Sequence, residues 1–300
     1  MDPSGPPQSR IIALMNQKGG VGKTTTTVNL GAAIAQRSRS VLIVDLDPQA
    51  HATLHMGIDP QQLDGSTYDV LLDPEHDPSH SIIKINEHLS LLPSETDLAA
   101  AESELASAND RQGRLTKAFE TFAGQFEFIL VDCPPSLGLL PLNALAAAKE
   151  VFIPMQAHFL ALQGVGKLLE TVSLVSQRVN PRLAVTGIIL CMHDSQTTHA
   201  QEVVADLDSF FEAAREQDVP WRTARVLRPP VRRNIKLAEC PSFGQTIFDY
   251  APTAPGAKDY LALGDVVIGD WDKLKARRAN AASAQIEVVM KTPQSTETHA

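Results

Sequence analysis

The stretch Ile11 to Thr27, IIALMNQKGGVGKTTTT, constrains this chain more than any other. A short apolar run, Ile11 to Met15, reads as a buried strand and passes directly into glycines. The segment after them, Thr24 to Arg37, contains no proline and has only Gly31 as a weak point, so it reads as a helix. Strand, glycine-rich turn and helix in that order form the setting a phosphate-binding loop requires. Gly19, Gly20 and Gly22, with Val21 among them, let the backbone turn its amides inward around an anion at the positive end of the helix. Lys23 would then neutralise β- and γ-phosphates, and the Thr24 hydroxyl would ligate Mg2+. The usual form of such a loop, G-x-x-x-x-G-K-[ST], asks for glycine at position 17. This chain has Gln17 there, and a second lysine, Lys18, directly before the glycines.

Composition sets the outer limits. The 300 residues allow one large α/β domain or two small ones. No apolar run approaches the ~18 residues needed to span a bilayer. The opening MDPSGPPQSR has no hydrophobic targeting segment, and residues 1–10 read as a disordered lead. Three scattered cysteines, Cys133, Cys191 and Cys240, are too few for a disulfide framework and point to a reducing cytoplasm. A net charge of −9 argues against a surface that coats nucleic acid throughout, while leaving room for a local basic patch.

Further along, Val41 to Val44 is a β-branched run that ends in Asp45-Leu46-Asp47-Pro48-Gln49. Residues two apart on a strand share a face, so Asp45 and Asp47 would point the same way, at the end of a parallel strand where ligands bind. One carboxylate would hold a metal-bound water and the other would position an attacking water; the alternative is a pair of acids closing a strand in a polar turn. Phe126 to Val131 is a second apolar strand, ending in Asp132-Cys133-Pro134-Pro135. An acid there matches the residue that orients Mg2+ opposite a phosphate loop. Five histidines between His51 and His88 fit no zinc spacing.

Strands and helices alternate along the rest of the chain. The expected fold is therefore α/β, a doubly wound and mostly parallel sheet flanked by helices, in one domain over residues 11–274. Residues 275–300 are polar and rich in Ala, Ser and Thr, and read as a disordered tail. Between Trp221 and Lys236 stand Arg222, Arg225, Arg228, Arg232, Arg233 and Lys236 with no acid among them. That asymmetry reads as a surface for phosphate backbones, with a solvated loop face as the alternative.

The strings NQKGGVGKTTTTVNL, VLIVDLDPQ, FILVDCPPS and RRNIKLAECPSFGQTIFDYAPTAPGAKDY resemble the ParA/Soj-type chromosome or plasmid partitioning ATPases. These are P-loop proteins of the ParA/MinD group with a deviant Walker A loop, and the resemblance covers roughly Ile11 to Leu274. It implies an ATP- and Mg2+-dependent homodimer that binds double-stranded DNA without sequence preference. A ParB-type centromere-binding partner would stimulate its hydrolysis, and it would be a cytoplasmic, nucleoid-associated protein with no stable membrane anchor. On this resemblance Lys18 reaches the partner subunit's nucleotide, and Gly19, Gly20, Val21, Gly22, Lys23, Thr24 and Thr25 hold the phosphates. Asp47 activates water and, with Thr24 and Asp132, serves the metal, while Pro230 helps frame the adenine. Arg225, Arg228, Arg232, Arg233 and Lys236 are the implied DNA contacts. Where relatives carry I-P-R-N, this chain has Val231-Arg232-Arg233-Asn234. The rival is a MinD-like membrane ATPase or one that positions another cargo. The stripe Tyr260, Leu263, Val267, Trp271 and Leu274 is the candidate membrane face, although it reads better as the last core helix.

Overall fold

The computed structural model describes residues 9–122, 124–194 and 197–291. The first half contains β1 (Arg10–Leu14), α1 (Lys23–Ala35), β2 (Val41–Asp45), α2 (His51–His55) and α3 (Thr67–Leu72). It continues through β3 (Ile83–Lys84), β4 (Leu89–Leu92), α4 (Leu98–Glu104), α5 (Arg114–Thr121) and β5 (Phe128–Asp132). Then come α6 (Leu139–Ala147), β6 (Glu150–Met155), α7 (Phe159–Arg178), β7 (Ala184–Leu190) and α8 (Thr198–Ala214). The chain closes with β8 (Arg225–Leu227), α9 (Ile235–Glu239), α10 (Ile247–Tyr250) and α11 (Pro255–Lys291).

The strands form one eight-stranded sheet in the order β3-β4-β2-β5-β1-β6-β7-β8. Only the β3–β4 pair is antiparallel, and this short edge pair was not anticipated from the sequence. All other pairings are parallel, as expected of a doubly wound sheet.

Period-two alternation divides the core between the two faces. Ala13, Leu42, Val44, Ile129 and Val131 pack with the buried stripes of α5, α7 and α8 on one face. Ile12, Leu14, Val41, Ile43, Phe128 and Leu130 pack with α1 and α11 on the other. A Cβ at Gly31 would lie 2.9 Å from Ile43 Cδ1, so the glycine that looked like a helix weakness lets α1 lie against β2.

Tyr260, Leu263, Val267 and Trp271 are all at most 2% exposed in the second core layer. This stripe is consumed by packing, as its sequence suggested, and is not a free membrane face. No helix among the described residues is long and apolar enough to cross a membrane.

Both ends of the domain differ from the sequence reading. Arg10 is not part of a loose lead: it opens β1 at 5% exposure and is clamped to Glu150. Helix α11 continues to Lys291, well past the boundary expected near residue 275. The remainder of the expected lead, residues 1–8, and of the expected tail, residues 292–300, lies outside the described residues.

Candidate functional site

Central strand β1 delivers the chain into the glycine turn at the C-terminal edge of the sheet. Gly20 and Gly22 take the left-handed backbone, at φ of 71° and 91°. Gly22 is doubly restricted, since a Cβ there would also crowd Cys191 Cβ at 3.3 Å. It is the N-cap of α1, and its carbonyl accepts from the Thr26 amide at 2.9 Å. The loop is braced from β6: the Asn16 amide donates to Pro154 O at 2.8 Å, and Gln156 Nε2 donates to Gly20 O at 3.2 Å.

Beneath the loop, the first turn of α1 is locked to the end of β5. Thr24 Oγ1 donates to Asp132 Oδ2 at 2.7 Å and Thr27 Oγ1 to Asp132 Oδ1 at 2.9 Å. Asp132 is fully buried, and burial raises its pKa against the pull of those two hydroxyls and of the Lys23 charge. Asp45 lies directly beside it across the β2–β5 ladder and is likewise fully buried. Burial, followed by the charge of Asp132, pushes the Asp45 carboxyl upward too.

The two acids of β2 have separate roles. Asp45 accepts from Thr53 N and Thr53 Oγ1, both at 2.8 Å, and from the Asp47 amide at 3.1 Å. Its oxygens thus secure the turn into α2. Because β2 ends at Asp45, the expected shared strand face does not extend to Asp47. Asp47, 7% exposed, instead lines a cavity of about 590 Å³ together with Gly19, Gly20, Gly22, Lys23, Thr24 and Thr25. Gln49, His51, Leu54, His55, Pro135, Pro241 and Ser242 complete that wall. Sequence reasoning missed Gln49, His51, Leu54 and His55 as site residues, and also the last two, which come from more than a hundred residues downstream. His55 is buried against Cys240 Sγ at 3.5 Å, and burial lowers its pKa to about 4.

A second cavity, about 520 Å³, shares Gly20, Gly22 and Thr25 with the first. Its remaining lining is mostly apolar: Met192, Val231, Ile235, Leu237 and Tyr260. Asn234 adds a buried side-chain Nδ2 with no partner among the described residues. The two cavities together offer a polar, cationic end and an apolar end with one unused donor, the shape of a site for a phosphorylated aromatic ligand. Pro230 does not line this cavity; Val231 to Asn234 do. Arg228–Pro229 is a cis peptide that turns the chain just before them.

Lys18 is exposed and lines neither cavity, its Nζ lying 3.0 Å from His158 Nε2. The basic stretch is not one surface. Arg225 opens β8 at the N-terminal edge of the sheet, opposite the glycine loop, and pairs with Asp270 at 2.5 Å. Arg228 pairs with Asp208 at 2.6 Å, and Lys236 pairs with Glu239 at 2.8 Å. Arg232 makes a forked contact with Asp259, whose Oδ2 also accepts from the Arg232 amide at 3.0 Å. Arg233 alone of these five has no ion pair with a described residue, and it stands at the mouth of the apolar cavity.

A family model described as an AAA domain matches residues 9–185. The chromosome partitioning protein ParA of Myxococcus xanthus is 41% identical over 90% of this chain and 92% of its own length. The sporulation initiation inhibitor protein Soj of Bacillus subtilis is 41% identical over 86% of this chain and 98% of its own. Among solved structures, a Mycobacterium smegmatis protein described as cobyrinic acid a,c-diamide synthase, with bound ADP and magnesium, superposes with a TM-score of 0.73. It is 37% identical, covering 88% of this chain and 96% of that one. Identity of this degree, sustained over nearly the whole length of both chains, reflects common descent, and the chain belongs to the ParA/Soj family of partitioning ATPases.

Proposed function

We propose that this protein is an ATP-driven DNA-segregation switch: it binds ATP with Mg2+, pairs with a second copy, and holds double-stranded DNA until a ParB-type partner triggers hydrolysis. The observation that carries the reading is the joint placement of Lys23, Thr24 and Asp47 in one cavity, with Asp132 hydrogen-bonded to Thr24 beneath it. The loop amides and Lys23 take the phosphates, and the apolar cavity takes the base, with the free Asn234 donor for a ring acceptor.

The donor set fits a hard divalent cation. It is built from carboxylate and hydroxyl oxygens. No group of three or more His, Cys, Asp or Glu among the described residues could hold a metal alone, so phosphate oxygens and water complete the shell. Mg2+, when bound there, offsets the charge that develops on the transferred phosphoryl group. Thr24 is the direct ligand and Asp132 orients it, while Asp47 holds the attacking water in line. Lys18, outside its own cavity, supplies its ammonium to the nucleotide of the second copy, which makes hydrolysis depend on pairing.

Arg233 leads the DNA contacts, because its charge is not committed to a carboxylate of the described residues, with Arg228 and Lys236 beside it. Arg225 lies at the other end of the sheet and Arg232 is a strut for Asp259, so neither heads the set. On this reading the protein works in the cytoplasm, on nucleoid DNA. The diamide synthase description of the M. smegmatis neighbour gives the second reading, in which the same ATP site activates a carboxylate for amide formation.

DNA co-sedimentation with ATP, ADP or no nucleotide tests the reading, with Arg233→Ala and Asp47→Ala as variants. We expect ATP-dependent, salt-sensitive binding that Arg233→Ala weakens, and Asp47→Ala protein that stays on DNA because it does not hydrolyse ATP. DNA binding in no nucleotide state refutes the switch and leaves the amide-forming reading. Normal hydrolysis by Asp47→Ala refutes the role given to that residue.

A further inference from the structure

A third cavity, larger than either half of the nucleotide site, lies away from it. It has a volume of about 880 Å³ and opens at the N-terminal edge of the sheet, where β1, β6 and β8 begin with Arg10, Glu150 and Arg225. Helix α11 closes it from above with residues Asp270 to Arg278. Arg10 on its wall lies the length of five-residue β1, roughly 16 Å, from the glycine loop.

Its walls carry seven basic residues against two acidic ones, in a chain whose net charge is −9. Both acids are already engaged. Glu150 accepts from Arg10 Nε at 2.7 Å, Arg10 Nη2 at 2.8 Å and Thr186 Oγ1 at 2.7 Å. Asp270 holds Arg225. Arg10 is also engaged beyond that pair, with Nη1 on Val267 O at 2.6 Å. Among the described residues, no carboxylate forms an ion pair with Lys149, Arg182, Lys273 or Arg277. Lys149 is half-buried, and its ammonium has one protein acceptor, Ser9 O at 3.2 Å. Burial, and then the nearby charges of Arg278 and Arg182, lower its pKa against the pull of Glu150, so cations crowd the ammonium more than the carboxylate relieves it. Crowding of this kind is unfavourable in an empty cavity and becomes favourable around a polyanion.

We propose that this cavity is a second phosphate site, taking a small ligand that carries two or more phosphate groups, with Lys149, Arg182 and Arg277 as its anchors. Its volume suits a nucleotide-sized molecule, and Phe152, Leu227 and Leu274 give it an apolar wall for the rest of such a ligand. The cations line a recess rather than a ridge, which favours a small molecule over the backbone of a duplex.

Inorganic tripolyphosphate is the probe, titrated by calorimetry into full-length protein already saturated with a non-hydrolysable ATP analogue and Mg2+, so that the glycine loop is filled. The comparison is an Arg182→Ser/Arg277→Ser double variant, whose two side chains make no ion pair with the described protein. We expect saturable binding by the wild type that falls by at least about tenfold in the double variant and weakens with salt. Absence of binding, or binding that the double variant leaves unchanged, overturns the proposal. A third outcome also overturns it: a double variant that loses DNA sedimentation while tripolyphosphate fails to compete shows that these cations serve a duplex backbone. Because the nucleotide site is filled throughout, failure here leaves the switch reading untouched.

Discussion

Thr27 tests how the end of β5 is held. Its side chain is fully buried and donates to Asp132 Oδ1 at 2.9 Å, but it lines neither half of the nucleotide site. Thr27→Val keeps the shape of the side chain and removes only the donor. A hydrogen bond to a charged group contributes about 1.5–3 kcal/mol, and no new cavity adds to the loss. Asp132 keeps its bond from Thr24, so the carboxylate is half-released, not orphaned. With a urea slope of about 3 kcal/mol per molar, the unfolding midpoint should fall by roughly 0.5–1 M. A second readout follows from the position of Asp132 behind the metal: an outer-sphere partner of a ligand is worth about 10- to 100-fold in metal affinity. With metal well above both dissociation constants, stabilisation by Mg2+ and ATP should therefore shrink by about 1.4–2.7 kcal/mol. Thr27→Ser, which restores the hydroxyl, should recover the metal dependence. A Thr27→Val protein with unchanged midpoint and unchanged Mg2+ dependence refutes this account of how Asp132 is positioned.

Three other perturbations isolate further features. Glu150→Ala leaves Arg10 buried without its anion and should lower urea stability by about 3–5 kcal/mol, whereas the double change Arg10→Met/Glu150→Leu should recover most of it. His55 titrates near 6.5 when unfolded but only at about 4 when folded, because burial disfavours its charge. Its contribution is thus fully present above pH 6.5 and is lost as pH falls toward 4, by up to about 3 kcal/mol. Asp45 and Asp132 shift stability in the opposite direction, so the clean measurement is wild type against His55→Gln by urea unfolding at pH 7.5 and pH 5. Arg232→Ala should lower the melting temperature by freeing the 7%-exposed Asp259, whereas Arg233→Ala should leave melting unchanged and weaken only DNA sedimentation.

What the sequence revealed follows from what is local. The strand–glycine–helix unit and the apolar runs VLIVD and FILVD, each ending in an acid, depend on near neighbours and were legible. Phe210 stands at helical spacing from Val203 and Leu207 in the sequence yet is 49% exposed, because the face of α8 that meets the core is set by Val203, Leu207 and Phe211. The run of arginines misled for a related reason. No acid lies within it, but Asp208, Asp259 and Asp270 arrive from α8 and α11 to meet it in space. Nor could spacing show that β8 passes through the run and sends Arg225 and Arg233 to opposite edges of the sheet. The apolar half of the nucleotide site is assembled from the end of β7, the turn before α9, and α11, which only the tertiary fold brings together.

The charge distribution at the loop makes a final demand on the ligand. Asp45 and Asp132 are fully buried neighbours and Asp47 is nearly so, while Lys23 is the cation of the described residues that acts on Asp132. An ATP molecule arriving alone would bring further negative charge beside this group, opposed by one ammonium and the loop amides. A divalent cation arriving alone would find Thr24 and the single carboxylate of Asp47, since Asp132 is held by two hydroxyls and Asp45 by Thr53. Each therefore removes the obstacle to the other, and nucleotide and Mg2+ should bind as a unit. Chelating the metal should weaken ATP binding by at least about tenfold, and Asp132→Asn should narrow that gap by removing part of the repulsion. Equal ATP affinity with and without Mg2+ would show that the buried acids do not act on the phosphates, and the metal would then belong elsewhere in the mechanism.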